Sequence, residues 1–117
     1  AMASHPDHAI WKRDFAGASG LFGVLLDPMT DAERSAFFNN LRLFKLGSSW
    51  GGFESLMVPA WPAPARSCTD TVEGALIRVH AGLEATVDLL RDLEEAFSRL
   101  RACRSEQTPA GLGQSRA

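Results

Sequence analysis

Arg78 stands in the middle of Ala75-Leu76-Ile77-Arg78-Val79-His80-Ala81, an otherwise apolar run. Side chains alternate across a strand, so Ile77, Val79 and Ala81 share one face and Leu76, Arg78 and His80 share the other. The first face suits a core. The second carries a guanidinium, which is permanently charged and asks for an anionic partner. Upstream, Ser48-Ser49-Trp50-Gly51-Gly52-Phe53-Glu54-Ser55-Leu56 sets serines, an indole and a glycine pair at a tight turn. Such a turn exposes backbone N–H groups. Taken together, the two segments read as a site for a carboxylate.

The remaining elements follow from periodicity and punctuation. His5 to Gly17 reads as an extended lead-in, because Pro6, the charged Lys12-Arg13-Asp14 and Gly17 oppose a regular element. Ser19 to Leu26 is continuously apolar and predicts a strand covered on both faces, ended by Asp27-Pro28. Thr30-Asp31-Ala32-Glu33 is a capping box. It opens a helix carrying Phe37, Leu41 and Phe44 that frays near Leu41 to Leu43, before a short strand at Phe44 to Leu46. Gly47 to Gly52 is a turn, Glu54 to Val58 a short strand stopped by Pro59, and Trp61 to Thr71 a proline-containing loop. Ala75 to Ala81 is the next strand.

Thr86 to Cys103 is the strongest helical pattern. Val87, Leu90, Leu93, Phe97 and Leu100 form its apolar stripe, with Asp88, Arg91, Asp92, Glu95 and Arg99 opposite. Glu95 and Arg99 are placed for an i,i+4 pair. The polar Ser105 to Ala117 reads as a flexible tail. These elements predict an α+β, two-layer small domain: a short, mostly antiparallel sheet with helices packed on one face. Residues 1–16 are the lead-in, 17–104 the domain and 105–117 the tail. Ala1-Met2-Ala3 sets a residue ahead of a methionine, as an expression remnant does, and is left out of the fold.

Composition narrows the function. The length of 117 residues suits one domain. A net charge of −2 gives no basic footprint for nucleic acid, and the longest apolar run, Gly20 to Leu26, is too short to span a bilayer. Cys68 and Cys103 have no CxxC spacing and read as thiols of a reducing, cytoplasmic compartment. His5 and His8 lack a third ligand at metal spacing, so no metal site is expected. Glu54 and Glu84 do not form an acid–base pair on spacing alone. On residue chemistry, Arg78 has two readings: a structural ion pair with Glu54 or Glu84, or an anion-binding residue. His80 reads as a satisfied structural histidine, and Trp11 and Trp61 as packing anchors.

The segments Gly17-Ala18-Ser19-Gly20-Leu21-Phe22, Leu46 to Leu56, Leu76 to Glu84 and Asp88-Leu89-Leu90-Arg91-Asp92-Leu93 occur here in an order that resembles a known domain. That domain is the C-terminal one of the pyridoxal-phosphate-dependent transsulfuration enzymes, of the aspartate-aminotransferase-like fold. Trp50 resembles the cystathionine β-lyase branch, since γ-lyases and γ-synthases usually carry leucine there. That branch often has tyrosine at the position of Ser48, and this chain contains no tyrosine. The resemblance implies that Arg78 holds the α-carboxylate of a sulfur amino-acid substrate, helped by the Ser49 N–H and the Trp50 indole. It implies carbon–sulfur β-elimination of cystathionine to homocysteine, pyruvate and ammonia in a longer enzyme. The cofactor, pyridoxal 5'-phosphate, would be held by a separate domain, because the only lysines here, Lys12 and Lys45, lie in no cofactor-lysine motif. The implied partners are that domain and, through an exposed apolar face, a second copy. No catalytic or cofactor-binding residue is expected in this chain, and the chain alone is expected to be inactive. The rival readings are a domain of another transsulfuration-family enzyme (γ-lyase, γ-synthase or cysteine desulfhydrase) and a free-standing interaction module.

Overall fold

The computed structural model describes residues 2–60 and 73–107. It contains α1 (His8–Asp14), β1 (Leu21–Leu26), α2 (Asp31–Phe38), β2 (Lys45–Leu46), β3 (Leu56–Pro59), β4 (Ala75–His80) and α3 (Thr86–Gln107). The strands form one sheet in the order β1-β4-β3-β2. β4 runs antiparallel to both β1 and β3, and only the short β2 pairs in parallel, with β3. The sheet is therefore mixed and mostly antiparallel, as the sequence implied.

Register assigns the two faces. Phe22, Val79 and Met57 lie in one cross-strand row, and Val24, Ile77 and Pro59 in the next. This face packs against Phe37 and Phe38 of α2 and Leu89, Ala96 and Leu100 of α3, all buried, with Phe44 between. The opposite face carries Leu21, His80 and Leu56 in one row, and Gly23, Arg78 and Val58 in the next. Helices cover the first face, and Arg78 rises from the second.

Several expectations are corrected. The lead-in is not extended, since it holds α1. Pro6 and Gly17 bracket that helix rather than interrupt it, and Lys12 and Arg13 in its last turn complement its dipole. β1 is not covered on both faces: Phe22 and Leu25 are about half exposed, because the strand lies at the sheet's edge. The capping box forms in full, Thr30 accepting from the Glu33 N–H and Glu33 from the Thr30 N–H. The helix it opens stops at Phe38, so Leu41 and Phe44 lie beyond it. The cause is Asp92, which takes hydrogen bonds from the N–H groups of Arg42, Leu43 and Phe44 at 2.9, 2.8 and 3.1 Å. Those donors go to a carboxylate and not to a continued helix.

The same contact displaces Asp92 from the polar stripe expected of it. It is only 5% exposed, while Val87 and Leu90 of the expected apolar stripe face solvent. The buried line of α3 is Leu89, Asp92, Ala96 and Leu100. Arg99 donates Nε to the Ala36 carbonyl at 3.2 Å rather than pairing with Glu95. α3 also runs past Cys103 to Gln107, so Ser105 to Gln107 are helical and not part of a flexible tail. Arg104 fastens that last turn, donating to Glu33 at 2.8 Å and to the Pro28 carbonyl at 3.0 Å. β3 starts at Leu56 and includes Pro59, and β4 ends at His80. Trp11 sits half-buried in α1, which has no buried residue. The expected loop at Trp61 to Thr71, the Trp61 anchor, Cys68 and the tail beyond Gln107 lie outside the described residues. No helix among the described residues is long and apolar enough to cross a membrane.

Candidate functional site

The site is assembled where residues 47–55 fold back onto β4. Its order follows from a sequence of grips, each made by β4 or the loop after it. Arg78 comes first. Its Nη2 donates to the Ser48 carbonyl, with the carbonyls of Gly47 and Ser49 at 3.5 and 3.4 Å. Gly23, its neighbour in β1, has no side chain to cover the guanidinium.

His80 makes the second grip. It is 7% exposed. Its Nε2 lies 3.0 Å from the Gly52 carbonyl, and its Nδ1 accepts from the Gly51 N–H at 3.5 Å. Gly51 has φ of 82°, a left-handed conformation that an L side chain adopts only at a cost. The third grip is made by the loop Gly82-Leu83-Glu84. The Leu83 N–H donates to the Phe53 carbonyl at 2.9 Å. Glu84 accepts from the Ser55 N–H at 2.8 Å and from the Ser55 hydroxyl at 2.7 Å, and the Gly82 N–H donates to the same hydroxyl oxygen at 2.9 Å. The Ser55 hydroxyl first, and its N–H second, hold the Glu84 carboxyl below the usual carboxylate value. Gly82 is required here because a Cβ would stand 2.2 Å from the Phe53 carbonyl oxygen.

These contacts exclude the ion pair of Arg78 with Glu54 or Glu84. Glu54 pairs with Lys45 at 2.8 Å, and Glu84 is committed to Ser55. Arg78 has no carboxylate partner among the described residues. Among the described residues its charge meets only carbonyl dipoles. Nε and Nη1 have no hydrogen-bond partner there, so hydrogens on both nitrogens remain available to an acceptor. Ser49 and Trp50 lie beside it, both exposed, with the indole 62% accessible. Their N–H groups have no acceptor among the described residues.

The three residues expected from sequence, Arg78, Ser49 and Trp50, are thus brought to one place. His80 is the satisfied structural histidine the sequence implied, bracing Gly51-Gly52, and the brace that sequence reasoning missed is Glu84 on Ser55. The Gly82-Leu83-Glu84 motif was the available signal for it. The chain's lysines are elsewhere: Lys12 is in the last turn of α1, and Lys45 is ion-paired with Glu54, which raises its pKa. Among the described residues no group of three or more potential ligands could hold a metal ion.

Comparison with known proteins gives the family. Residues 1–98 match the family model described as Cys/Met metabolism PLP-dependent enzyme. The cystathionine beta-lyase of Salmonella typhimurium is 44% identical over 107 residues, covering 86% of this chain and 27% of that protein. The L-alanine/L-glutamate racemase of Wolbachia pipientis is 39% identical over 106 residues, covering 86% of this chain and 26% of that protein. Among solved structures, a cystathionine gamma synthase from Xanthomonas oryzae pv. oryzae, in complex with aminoacrylate and cysteine, superposes with a TM-score of 0.71. It is 31% identical, over 87% of this chain and 28% of that one. The chain spans about a quarter of the length of the curated relatives it matches. It belongs to the Cys/Met metabolism PLP-dependent enzymes.

Proposed function

We propose that this chain is the C-terminal small domain of a transsulfuration enzyme of the cystathionine β-lyase type, with the aspartate-aminotransferase-like fold. In this reading Arg78 binds the α-carboxylate of the amino-acid substrate. The observation that carries it is a guanidinium whose Nε and Nη1 have no hydrogen-bond partner and which has no carboxylate partner among the described residues, beside the Ser49 and Trp50 N–H groups, which have no acceptor there. A planar guanidinium and a carboxylate match through two parallel charge-assisted hydrogen bonds. The Ser49 N–H and the Trp50 indole N–H supply further donors.

The relatives' names support a role in substrate holding over one in bond breaking. A lyase, a racemase and a synthase share this segment, and their reactions differ. What cystathionine, alanine, glutamate and cysteine share is an amino-acid carboxylate. Holding it fixes the substrate's orientation, which is the positioning contribution to catalysis. Assignment to the β-lyase branch rests on Trp50 and on the 44% identity to the Salmonella protein. Carbon–sulfur β-elimination of cystathionine is then the parent reaction, with γ-lyase, γ-synthase or cysteine desulfhydrase activity as outcomes that parent kinetics would separate.

Pyridoxal phosphate, the family's cofactor, does not fit the residues of this chain. A Schiff-base lysine must release its proton, and neighbouring positive charge or desolvation lowers its pKa for that purpose. Lys45 has the opposite environment, its ammonium stabilised by Glu54, and Lys12 stands on a helix with no buried residue. The partner in this reading is a separate cofactor-binding domain.

The test is a titration of the isotopically labelled chain with L-alanine and with L-alaninamide, which differ at the carboxyl group alone. L-alanine is expected to shift the Arg78 Nε and Ser49 amide signals saturably. L-alaninamide, and L-alanine added to Arg78→Lys, are expected to leave them in place. Equal responses to the two compounds would remove the carboxylate assignment.

A further inference from the structure

We propose that His80 is a positioning residue of the carboxylate site, acting through the backbone of Gly51 and Gly52 on Ser49 and Trp50. The inference rests on the carboxylate reading of Arg78 and adds to it the group that sets the site's geometry.

The bend is clamped at two points with one residue between them. Arg78 holds the carbonyls of residues 47–49. His80 holds the N–H of Gly51 and the carbonyl of Gly52. Trp50 lies between the clamps, and its side chain is 62% exposed, so packing does little to orient it. Its direction, and that of its N–H, follows from where the two clamps put the backbone. No other side chain among the described residues hydrogen-bonds to Gly51 or Gly52.

The hydrogen bonds specify the ring. A carbonyl only accepts and an N–H only donates, so the imidazole carries its proton on Nε2 and accepts at Nδ1. The Nε2–H bond to Gly52 is the shorter, at 3.0 Å against 3.5 Å for the Gly51 contact, and carries more of the grip. Without that anchor the positive-φ Gly51 is free to rotate the crest of the bend, since nothing lies within 4 Å of where its Cβ would be. The Ser49 and Trp50 donors would then move away from the unpartnered Nε and Nη1 of Arg78. The brace formed by Ser55 and Glu84 lies further along the chain, on the other side of Phe53, and leaves residues 50–52 unheld.

Three substitutions separate positioning from bulk stability. His80→Gln keeps a donor at the reach of Nε2, His80→Asn keeps only an acceptor at the reach of Nδ1, and His80→Leu keeps neither. Each is compared with wild type by the amide signals of Ser49 to Gly52 without ligand, and by L-alanine affinity. His80→Leu is expected to move those amides while leaving α3 unchanged, and to weaken L-alanine binding by about tenfold, the loss of one good hydrogen bond. His80→Gln is expected within about twofold of wild type, and His80→Asn at least about fivefold weaker. An L-alanine affinity of His80→Leu within about twofold of wild type overturns the proposal. If His80→Leu does not fold, the other two decide, and equal affinities of His80→Gln and His80→Asn overturn it. If wild type itself ignores L-alanine while His80→Leu moves the bend amides, the carboxylate reading falls and His80 is a brace of the bend alone.

Discussion

Removing the Asp92 carboxylate should cost this fold about 3 kcal/mol, a large share of what a domain of this size has to lose. Three backbone N–H groups end on it, from Arg42, Leu43 and Phe44. The Phe44 bond is fully buried, and the other two are partly buried. A buried donor left without an acceptor costs about 1–3 kcal/mol, so the Phe44 N–H sets the upper contribution and the other two add less. The desolvation cost of the lost charge is returned, which brings the net to about 3 kcal/mol. Urea denaturation followed by circular dichroism measures it. With a slope of about 1.5 kcal/mol per molar, Asp92→Ala should lower the midpoint by about 2 M. Asp92→Asn keeps one carbonyl oxygen, able to accept from the Leu43 and Phe44 N–H groups, but turns its NH2 group toward the Arg42 N–H, and should fall between wild type and Asp92→Ala. If Asp92→Ala unfolds at the wild-type midpoint, these hydrogen bonds do not hold the segment, and the explanation of why α2 stops at Phe38 is wrong.

Two further predictions concern the loops around the site. Gly82→Ala should destabilise by about 3 kcal/mol or more, because its Cβ meets the Phe53 carbonyl oxygen at 2.2 Å. Gly51→Ala meets no atom within 4 Å and should cost only the about 1–2 kcal/mol of a left-handed backbone, and a reversed order in urea midpoints would contradict this packing. Glu84 has its folded pKa depressed below the reference value of 4.5, mainly by the Ser55 hydroxyl. Its contribution is therefore fully present above the unfolded value and is lost as pH falls through the folded one. The wild-type midpoint should drop more steeply than that of Glu84→Gln on acidification below 4.5, and parallel curves would show that Glu84 is not so held.

What could be read from the sequence was local or periodic. The Thr30–Glu33 capping box spans a single turn, and it forms as expected. The alternation of Ile77 and Val79 against Arg78 fixed which face of β4 is core. The glycine pair beside Ser49 and Trp50 marked the bend that Arg78 grips. What was missed depends on partners far along the chain. Asp92 looks like any polar helix residue until the 50-residue separation to Arg42 is closed, and Arg104 gains its role only from Glu33, 71 residues away. His80 is the satisfied histidine expected of it, but its two partners are backbone atoms that no residue pattern reveals. α1 is hidden for another reason: Pro6 and Gly17 read as breakers within the segment, and they flank the helix.

Arg78, with the Ser49–Trp50 bend, is proposed to receive the carboxylate of an amino acid, and a crystal structure of the chain soaked in L-cystathionine tests this. A carboxylate is expected in two-pronged contact with the Arg78 guanidinium and within hydrogen-bond reach of the Ser49 N–H. Ligand density at another surface, with only solvent on the Arg78 fork, would contradict it.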